Sequence, residues 1–491
     1  MDYKLSPVQR FFNYREQVKK FSSRVYVGTQ LIDSFKVDIS NLQKIVAEII
    51  NKDNNKQLLA QIDSKTNNVY LLNFEKLDFS QFVHIIDDSK FTDIGDNKFV
   101  EEMVKTKFEI GIDLPLWRIV YLPKLNYLIF NYGHVFFDGM TGVNFMKKVL
   151  NKFEGVTGEV NSADYHSIFD NICTDKSLLD LNIIDAYPRR SLNFSNVVIL
   201  LRHVLLPEFV EAAMIKMICW FPALIKLKLF QKFNRFQNSQ KTYPGQHFVK
   251  HSLINISAEK TKKLIKLSRQ NNVTLNSLLV TLFALSSPKS IESAGFTNKI
   301  DIPINLRTRF SAFHNHKDVL GLLVAPVTIS TPIIQPLKKK KHHFEELVDY
   351  VMKYANKIND SIQSEINSSG PVNAMGLINI FTNDKNMKSP KDYGDLDMLL
   401  PENPSLKRDF EVSNLGLFFN SKLVKDVIFN QSYNMRSAHM TVSALGSVVG
   451  GTNLSCMYSD DDKGKSSIDV WHLRFTDLVN NLLEATDNQE I

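Results

Sequence analysis

Between Tyr127 and Leu150 the hydrophobic period of the chain changes within a few residues, and that change constrains the fold more than any other stretch. Tyr127 to Tyr132 is a nearly continuous apolar and aromatic run with the length of a buried strand, whereas Gly139 to Phe153 carries apolar residues at helical spacing. Between them stand His134 and the pair Asp138-Gly139. A histidine just past the end of a buried strand sits on rigid scaffold, and imidazole titrates near neutral pH, so His134 is a candidate general base. A plainer reading stands beside it: Asp138 caps the helix, Gly139 eases the turn, and His134 is an ordinary half-buried ring. Upstream, Leu114 to Tyr121 reads as a strand, and Pro123 to Asn126 turns it into the one that carries His134. Four connecting residues make this an antiparallel hairpin.

With 491 residues, 44% of them hydrophobic, the chain can bury a large core and divides into two or three domains. Its 59 Lys+Arg against 52 Asp+Glu leave a mild net charge of +7. Without an arginine-rich arm, zinc-finger spacing or an RNP-like motif, nucleic acid is not expected as a partner. Cys173, Cys219 and Cys456 are far apart and include no Cys-x-x-Cys pair, which suits a reducing compartment. Cys219 lies in an apolar run and reads as a small core hydrophobe. The first residues lack the apolar core of a signal peptide, and no stretch reaches the roughly 18 uncharged apolar residues of a spanning helix. A soluble or peripherally bound chain facing the cytosol is expected.

From Ser6 to Phe21, apolar Pro7, Val8, Phe11, Phe12, Tyr14, Val18 and Phe21 interleave with Arg10, Arg15, Lys19 and Lys20. This pattern predicts a basic amphipathic helix that either packs on the body or lies on a membrane surface. A strand at Arg24 to Leu31 and a helix from Asn41 to Ile50 follow, then weak strands at Gln57 to Ile62, Asn68 to Leu72 and Phe82 to Ile86, and a helix from Lys98 to Phe108. Gly155 to Asp185 is polar and read as surface loop. Asn193 to Phe233 alternates short apolar runs with Arg202, Lys216, Lys226 and Lys228, which suits either packing between domains or a membrane interface. The expected division is 1-190, a linker at 191-245, and 246-491.

The second half opens with a strand at Phe248 to Ile254 and a helix from Ala258 to Arg269 capped by Ser257. Thr274 caps a largely apolar, central helix from Leu275 to Leu285. Strands are predicted at Lys299 to Leu306 and Val319 to Ile329. A long helix to Ile366 is introduced by the lysine run 338–341, itself read as a solvated face. Ser369 to Pro404 reads as a long loop. Strands at Phe410 to Phe419, Val424 to Gln431, His439 to Leu445 and Thr452 to Tyr458 precede a last helix, Ile468 to Ala485. Helices mix with antiparallel hairpins, so the class is α/β in a broad sense.

Three places look constrained beyond packing. Arg307 follows Pro303, Ile304, Asn305 and Leu306 as an isolated charge and wants a partner, for which Asp138 is a candidate. That pairing would make the carboxylate a tie holding the His134 loop and no member of a triad. Ser413-Asn414-Leu415-Gly416 offers a small, polar backbone approach, and Leu445-Gly446 with Gly450-Gly451 leaves room for a wall beside a narrow ligand.

His134-Val135-Phe136-Phe137-Asp138-Gly139, Pro115-Leu116-Trp117-Arg118, Pro303 to Arg307 and Ser413 to Gly416 resemble the corresponding elements of the fungal alcohol O-acetyltransferases. These belong to the CoA-dependent acyltransferase superfamily, with chloramphenicol acetyltransferase and the plant BAHD enzymes. The resemblance covers nearly the whole chain. The Asp-Phe-Gly-Trp-Gly segment of the plant branch is absent. The resemblance implies two chloramphenicol-acetyltransferase-like α/β domains of mixed sheets and flanking helices, with a tunnel between them. It implies acetyl-CoA as co-substrate, no metal, and His134 as the base that takes the acceptor's proton. Asp138 would orient the loop through Arg307, with Gly139, Asn305, Asn414 and Gly416 supporting the site and Ser443 or Asn414 donating to the oxyanion. A hydrophobic alcohol is the first acceptor class. A long-chain sphingoid-like amine is the second, and a catalytically silent lipid- or CoA-binding protein is the reading from another class. A monomer is expected, with peripheral contact to endoplasmic reticulum or lipid droplets through the amphipathic segments.

Overall fold

A computed structural model of the chain describes residues 3–5, 7–17, 23–51, 55–155, 249–287, 297–307, 318–332, 344–367, 408–419, 421–432, 438–459 and 462–489. The segments predicted at 156–248, the lysine run 338–341, the loop 369–404, Cys173 and Cys219 lie outside these residues.

The N-terminal part runs β1 (Tyr3–Lys4), α1 (Pro7–Gln17), β2 (Arg24–Leu31), α2 (Ile39–Asn51), β3 (Ala60–Ile62), β4 (Asn68–Leu71), β5 (Val83–Ile85), α3 (Asn97–Lys105), β6 (Trp117–Leu122), β7 (Tyr127–Gly133) and α4 (Gly139–Phe153). The C-terminal part runs β8 (Val249–Ile256), α5 (Ala258–Gln270), α6 (Leu275–Ser286), β9 (Thr297–Asn305), β10 (Val324–Pro332), α7 (Phe344–Asn367), β11 (Arg408–Phe419), β12 (Val424–Gln431), β13 (Ala438–Ser447), β14 (Gly451–Ser459) and α8 (Asp462–Gln489).

A five-stranded sheet, ordered β12-β2-β7-β6-β5, forms the N-terminal layer. Strand β7 is flanked on both sides, Phe130 facing Val27 of β2 and Ile119 of β6, and all seven of its residues are buried. That double burial is why its sequence is a nearly continuous apolar run, interrupted by Asn131. Leu42, Val46 and Ile49 of α2 and Val143, Met146 and Val149 of α4 cover one face, while Phe99 and Met103 of α3 join Tyr26 and Ile129 on the other. The β6–β7 hairpin turns through Asn126 in the left-handed region at φ 55°. Its side-chain amide donates to the carbonyls of Leu31, Ile32 and Phe35 at 3.1, 2.9 and 3.0 Å, fastening the turn to the end of β2.

The second sheet is mixed and six-stranded, ordered β10-β9-β11-β13-β14-β8. Its covering helices bury Leu278, Leu282 and Phe283 of α6, Val351 and Ile358 of α7, and Trp471 and Phe475 of α8. Helix α6 is buried from Ser277 to Ser286, as expected of a helix apolar on every side, and Thr274 caps it by accepting from the Ser277 N–H at 3.0 Å. The two parts share a strand: β12 leaves the C-terminal part and pairs antiparallel with β2, Val427 opposite Thr29. Arg24 and Ser432 close that junction, the Arg24 N–H donating to the Ser432 hydroxyl at 3.1 Å and the Ser432 N–H to the Arg24 carbonyl at 2.8 Å.

Several predicted boundaries move: the last helix runs Asp462–Gln489 where Ile468 to Ala485 was expected, Lys56–Leu59 is a 3-10 turn where the strand Gln57 to Ile62 was expected to begin, and two others move for a visible reason. Helix α3 ends at Lys105 and not Phe108, because the Thr106 carbonyl accepts from the Arg24 guanidinium and its hydroxyl bonds back to Glu102. Strand β10 begins at Val324 and not Val319, because backbone groups of residues 319–323 are drawn toward Arg307, Asp138 and Thr141. Helix α1 packs on the body: Val8 and Tyr14 are buried, and Phe12 touches the hydrophobic cores of both parts. Among the described residues no helix is long and apolar enough to cross a membrane. Cys456 is buried in the second core, which pushes its thiol pKa well up and leaves it inert.

Candidate active site

Strand β7 delivers His134 to the seam between the two parts. The Gly133 N–H still bonds the Leu116 carbonyl at 3.0 Å and the His134 N–H the Ser23 carbonyl at 2.9 Å, after which the chain turns away toward α4. The imidazole Nδ1 lies 2.7 Å from the carbonyl oxygen of Phe137. A carbonyl only accepts, so Nδ1 carries the proton and Nε2 keeps its lone pair. No partner for Nε2 is found among the described residues. The Phe12 ring stacks on the imidazole at 4.3 Å between centroids and 22° between planes. Burial pushes the His134 pKa down to about 4, against smaller upward pulls from the Asp138 carboxylate and the Phe137 carbonyl. The ring is therefore neutral at neutral pH, the state a general base requires.

Asp138 is buried and fully engaged. Its Oδ1 accepts from the Thr141 N–H at 2.9 Å, the Thr141 hydroxyl at 3.1 Å and Arg307 Nη2 at 3.0 Å. Its Oδ2 accepts from Arg307 Nη1 at 2.8 Å and the Leu323 N–H at 2.8 Å. The carboxylate is thus both the cap of α4 and an ion-pair partner, and both oxygens are spent away from the imidazole. Burial alone would raise its pKa, but the Arg307 charge and the donated hydrogen bonds outweigh it and hold the carboxyl below its ordinary value.

Arg307 follows β9 and is wholly buried. Besides gripping Asp138 with both terminal nitrogens, it donates Nε to the Val319 carbonyl at 2.9 Å and Nη2 to the Gly321 carbonyl at 2.9 Å. Asn305 steadies it, accepting from the Arg307 N–H at 3.0 Å and from Nη1 at 3.3 Å. Residues 169 apart in sequence thereby join the His134 loop to the second sheet. Removing one member of such a pair typically costs about 3–5 kcal/mol, because the other charge stays buried alone.

The Ser413 to Gly416 element reaches the same place from β11. Asn414 Oδ1 accepts from the Gly416 N–H at 2.8 Å, and the register of β11 on β13 shifts between Asn414 and Leu417. Leu415 then covers the start of α4, where a Cβ on Gly139 would come within 2.9 Å of it. The Asn414 oxygen is thus committed to its own turn. Ser443 is buried on β13 in register with Ser413 and Ser455, and its hydroxyl has no partner among the described residues. The glycines at the β13–β14 turn admit protein and not a ligand: a Cβ on Gly451 would lie 2.1 Å from the Ile256 carbonyl, and one on Gly450 would lie 2.3 Å from Asp426.

Sequence reasoning passed over Thr141, Tyr132 and Gly142. The Thr141 hydroxyl bridges Asp138, Arg307 and the backbone of Gly321, and the Tyr132 hydroxyl donates to the Asp138 carbonyl at 2.8 Å. A Cβ on Gly142 would sit 2.7 Å from that hydroxyl and 2.6 Å from Val27. A glycine inside a helical pattern is itself the available signal, since it lowers helix stability unless a close approach requires it.

Comparison with known proteins bears on the family and the fold. An N-acetyltransferase of Saccharomyces cerevisiae, SLI1, is 21% identical over 448 residues, spanning 85% of each chain. The TRI3 trichothecene 15-O-acetyltransferase of Fusarium sporotrichioides superposes with a TM-score of 0.58 at 10% identity, over 96% of this chain and 95% of that one. The first condensation domain of the CDA synthetase gives a TM-score of 0.54 at 10% identity, over 99% and 97%. These two structures show the fold, that of two-domain condensation and acetyltransferase proteins. The alcohol acetyltransferase family model matches residues 29–478, and the chain belongs to that family of acetyltransferases.

Proposed function

We propose that the protein transfers the acetyl group of acetyl-CoA to the hydroxyl of a hydrophobic alcohol, with His134 as general base. The observation that carries this reading is the imidazole's fixed tautomer: Phe137 holds the Nδ1 proton, so Nε2 stands as a neutral base beside the seam. In the reaction the acceptor O–H gives its proton to Nε2 as its oxygen bonds to the thioester carbonyl carbon. The tetrahedral adduct then expels the CoA sulfur, breaking the C–S bond, and the proton passes from Nε2 to the thiolate. Base help of this kind is worth roughly 10²–10⁴-fold. Asp138 takes no proton; with Arg307 and Thr141 it holds the loop so that Nε2 keeps its place.

A second reading, transfer to the amine of a long-chain sphingoid-like base, is favoured by the similarity to the yeast N-acetyltransferase. Thiol release from acetyl-CoA, followed with isoamyl alcohol and with a sphingoid amine in parallel and with His134→Ala as blank, tests both. Release with the alcohol is the expected result, and release with the amine alone moves the protein to the second reading. Release with neither across a broad acceptor panel, with acetyl-CoA still bound, would make it a silent binder.

A further inference from the structure

Helix α1 is more than packing, because it brings a cation to the imidazole. Phe12 stacks on His134, and Arg15, three residues on, shares the same side of the helix. Its charge lies close enough to the ring to oppose protonation. Its neighbour Glu16 is already taken, paired with Arg24 at 2.6 Å and accepting from the Ser23 N–H at 2.8 Å. Arg15 is left with no ion pair among the described residues, and its Nε–H is buried with no hydrogen-bond partner. A buried donor without an acceptor costs free energy, and an anion arriving beside it would recover that cost. The reaction proposed above generates such an anion, on the oxygen of the thioester carbonyl, next to the base that triggers it.

Resting on that reading of the site, we propose that Arg15 is a catalytic residue that donates from the N-terminal helix to the oxyanion of the tetrahedral adduct. As the acceptor oxygen bonds to the carbonyl carbon, the C=O pair moves onto oxygen and Arg15 stabilises it. As the pair returns, the C–S bond breaks and the donor is released. The arrangement explains why a basic helix is seated with its aromatic side on the imidazole: Phe12 fixes the helix and Arg15 does the electrostatic work.

The test is Arg15→Gln with steady-state kinetics in acetyl-CoA, inhibition by adenosine 3′,5′-bisphosphate, and thermal unfolding of the same preparation. Loss of one preorganised oxyanion donor typically lowers kcat about 10²–10³-fold. The expected result is a loss of that size in kcat, with the KM for acetyl-CoA and the inhibition constant of the bisphosphate changed by less than about twofold. A loss confined to KM and to the bisphosphate constant would overturn the proposal by assigning Arg15 to the phosphates of CoA. An unchanged kcat would overturn it outright. Should Arg15→Gln fail to fold, Arg15→Lys carries the test: it keeps the charge but lacks the Nε–H, so kcat falls about tenfold or more if the proposal holds and is unchanged if it does not. A wild type that releases no thiol with any acceptor sinks the underlying reading, a result distinct from an active wild type with an unimpaired Arg15→Gln.

Discussion

Two histidines, one at each side of the seam, the first half-buried and the second buried, have the same electrostatic signature and opposite uses. His134 at the end of β7 and His251 in β8 are both pushed down to about 4 by burial. His251, however, spends both ring nitrogens: Nδ1 faces the Gly95 carbonyl at 3.3 Å, and Nε2 lies 2.7 Å from the Ser455 hydroxyl. Its backbone N–H also donates to Asn97 at 2.7 Å, so the residue staples the start of α3 to the second sheet. His134 spends Nδ1 only. A depressed pKa marks a buried imidazole; the unspent nitrogen marks the one available for chemistry.

Exchanging the two for alanine breaks the comparison most sharply. His134→Ala is expected to lower turnover by roughly 10²–10⁴-fold with little change in thermal unfolding. If it keeps more than about a tenth of wild-type turnover, the general-base role fails. His251→Ala is expected to do the reverse, leaving Ser455 unpaired and costing about 1–3 kcal/mol of stability while the folded fraction turns over normally.

The Asp138–Arg307 tie comes next, because it connects the catalytic loop to the sheet that His251 belongs to. Asp138→Asn and Arg307→Met should each destabilise by about 3–5 kcal/mol in denaturant unfolding, and the double variant by less than the sum, since it leaves no lone buried charge. Additive losses would show that the pair contributes no coupling. Smaller again is Gly142→Ala, whose methyl group meets Val27 and the Tyr132 hydroxyl. Overpacking of that kind costs about 1–3 kcal/mol. Turnover should fall with it, because the Tyr132 bond to the Asp138 carbonyl must give way.

Much of this was legible before any coordinates. The change of period from Tyr132 to Gly139 located the strand, the loop and the helix, because a doubly buried strand and an amphipathic helix obey different periods. Arg307 stood out as a charge on an apolar strand, and its partner is the carboxylate the sequence offered. His251 gave no such sign: its strand alternates like any other, and only pairing with β14 brings Ser455 to it. The placement of β12 in the N-terminal sheet was hidden for the same reason, since a strand's own residues do not record which neighbour it joins. Phe12 was visible as part of an amphipathic helix, but an apolar side says nothing of the imidazole it will cover.

The smallest expected effect separates the two imidazoles most cleanly, because both weigh on stability over the same pH window while only one governs rate. With a pKa of about 4, His134 is almost wholly neutral at pH 5.5, so kcat with an alcohol acceptor should change less than about twofold between pH 5.5 and 8. An imidazole at its ordinary 6.5 would lose about tenfold over that range. An amine acceptor would instead gain rate with pH toward its own pKa, since its ammonium form cannot attack. Stability should not be flat. The folded pKa of His251 lies below its unfolded value, so the unfolded chain binds the proton first, and stability falls as pH drops through about 6.5 and levels near 4. By pH 5.5 that loss amounts to about 1.4 kcal/mol, and His134, depressed alike, adds as much, so His251→Gln should remove about half of the slope. Unfolding measured at pH 8 and 5.5 beside the rate profile would then show a stability that slopes under a rate that does not. A rate that followed the slope would mean that His134 titrates as an open, solvated ring, and the fixed Nδ1–H to Phe137 would lose its place in the argument.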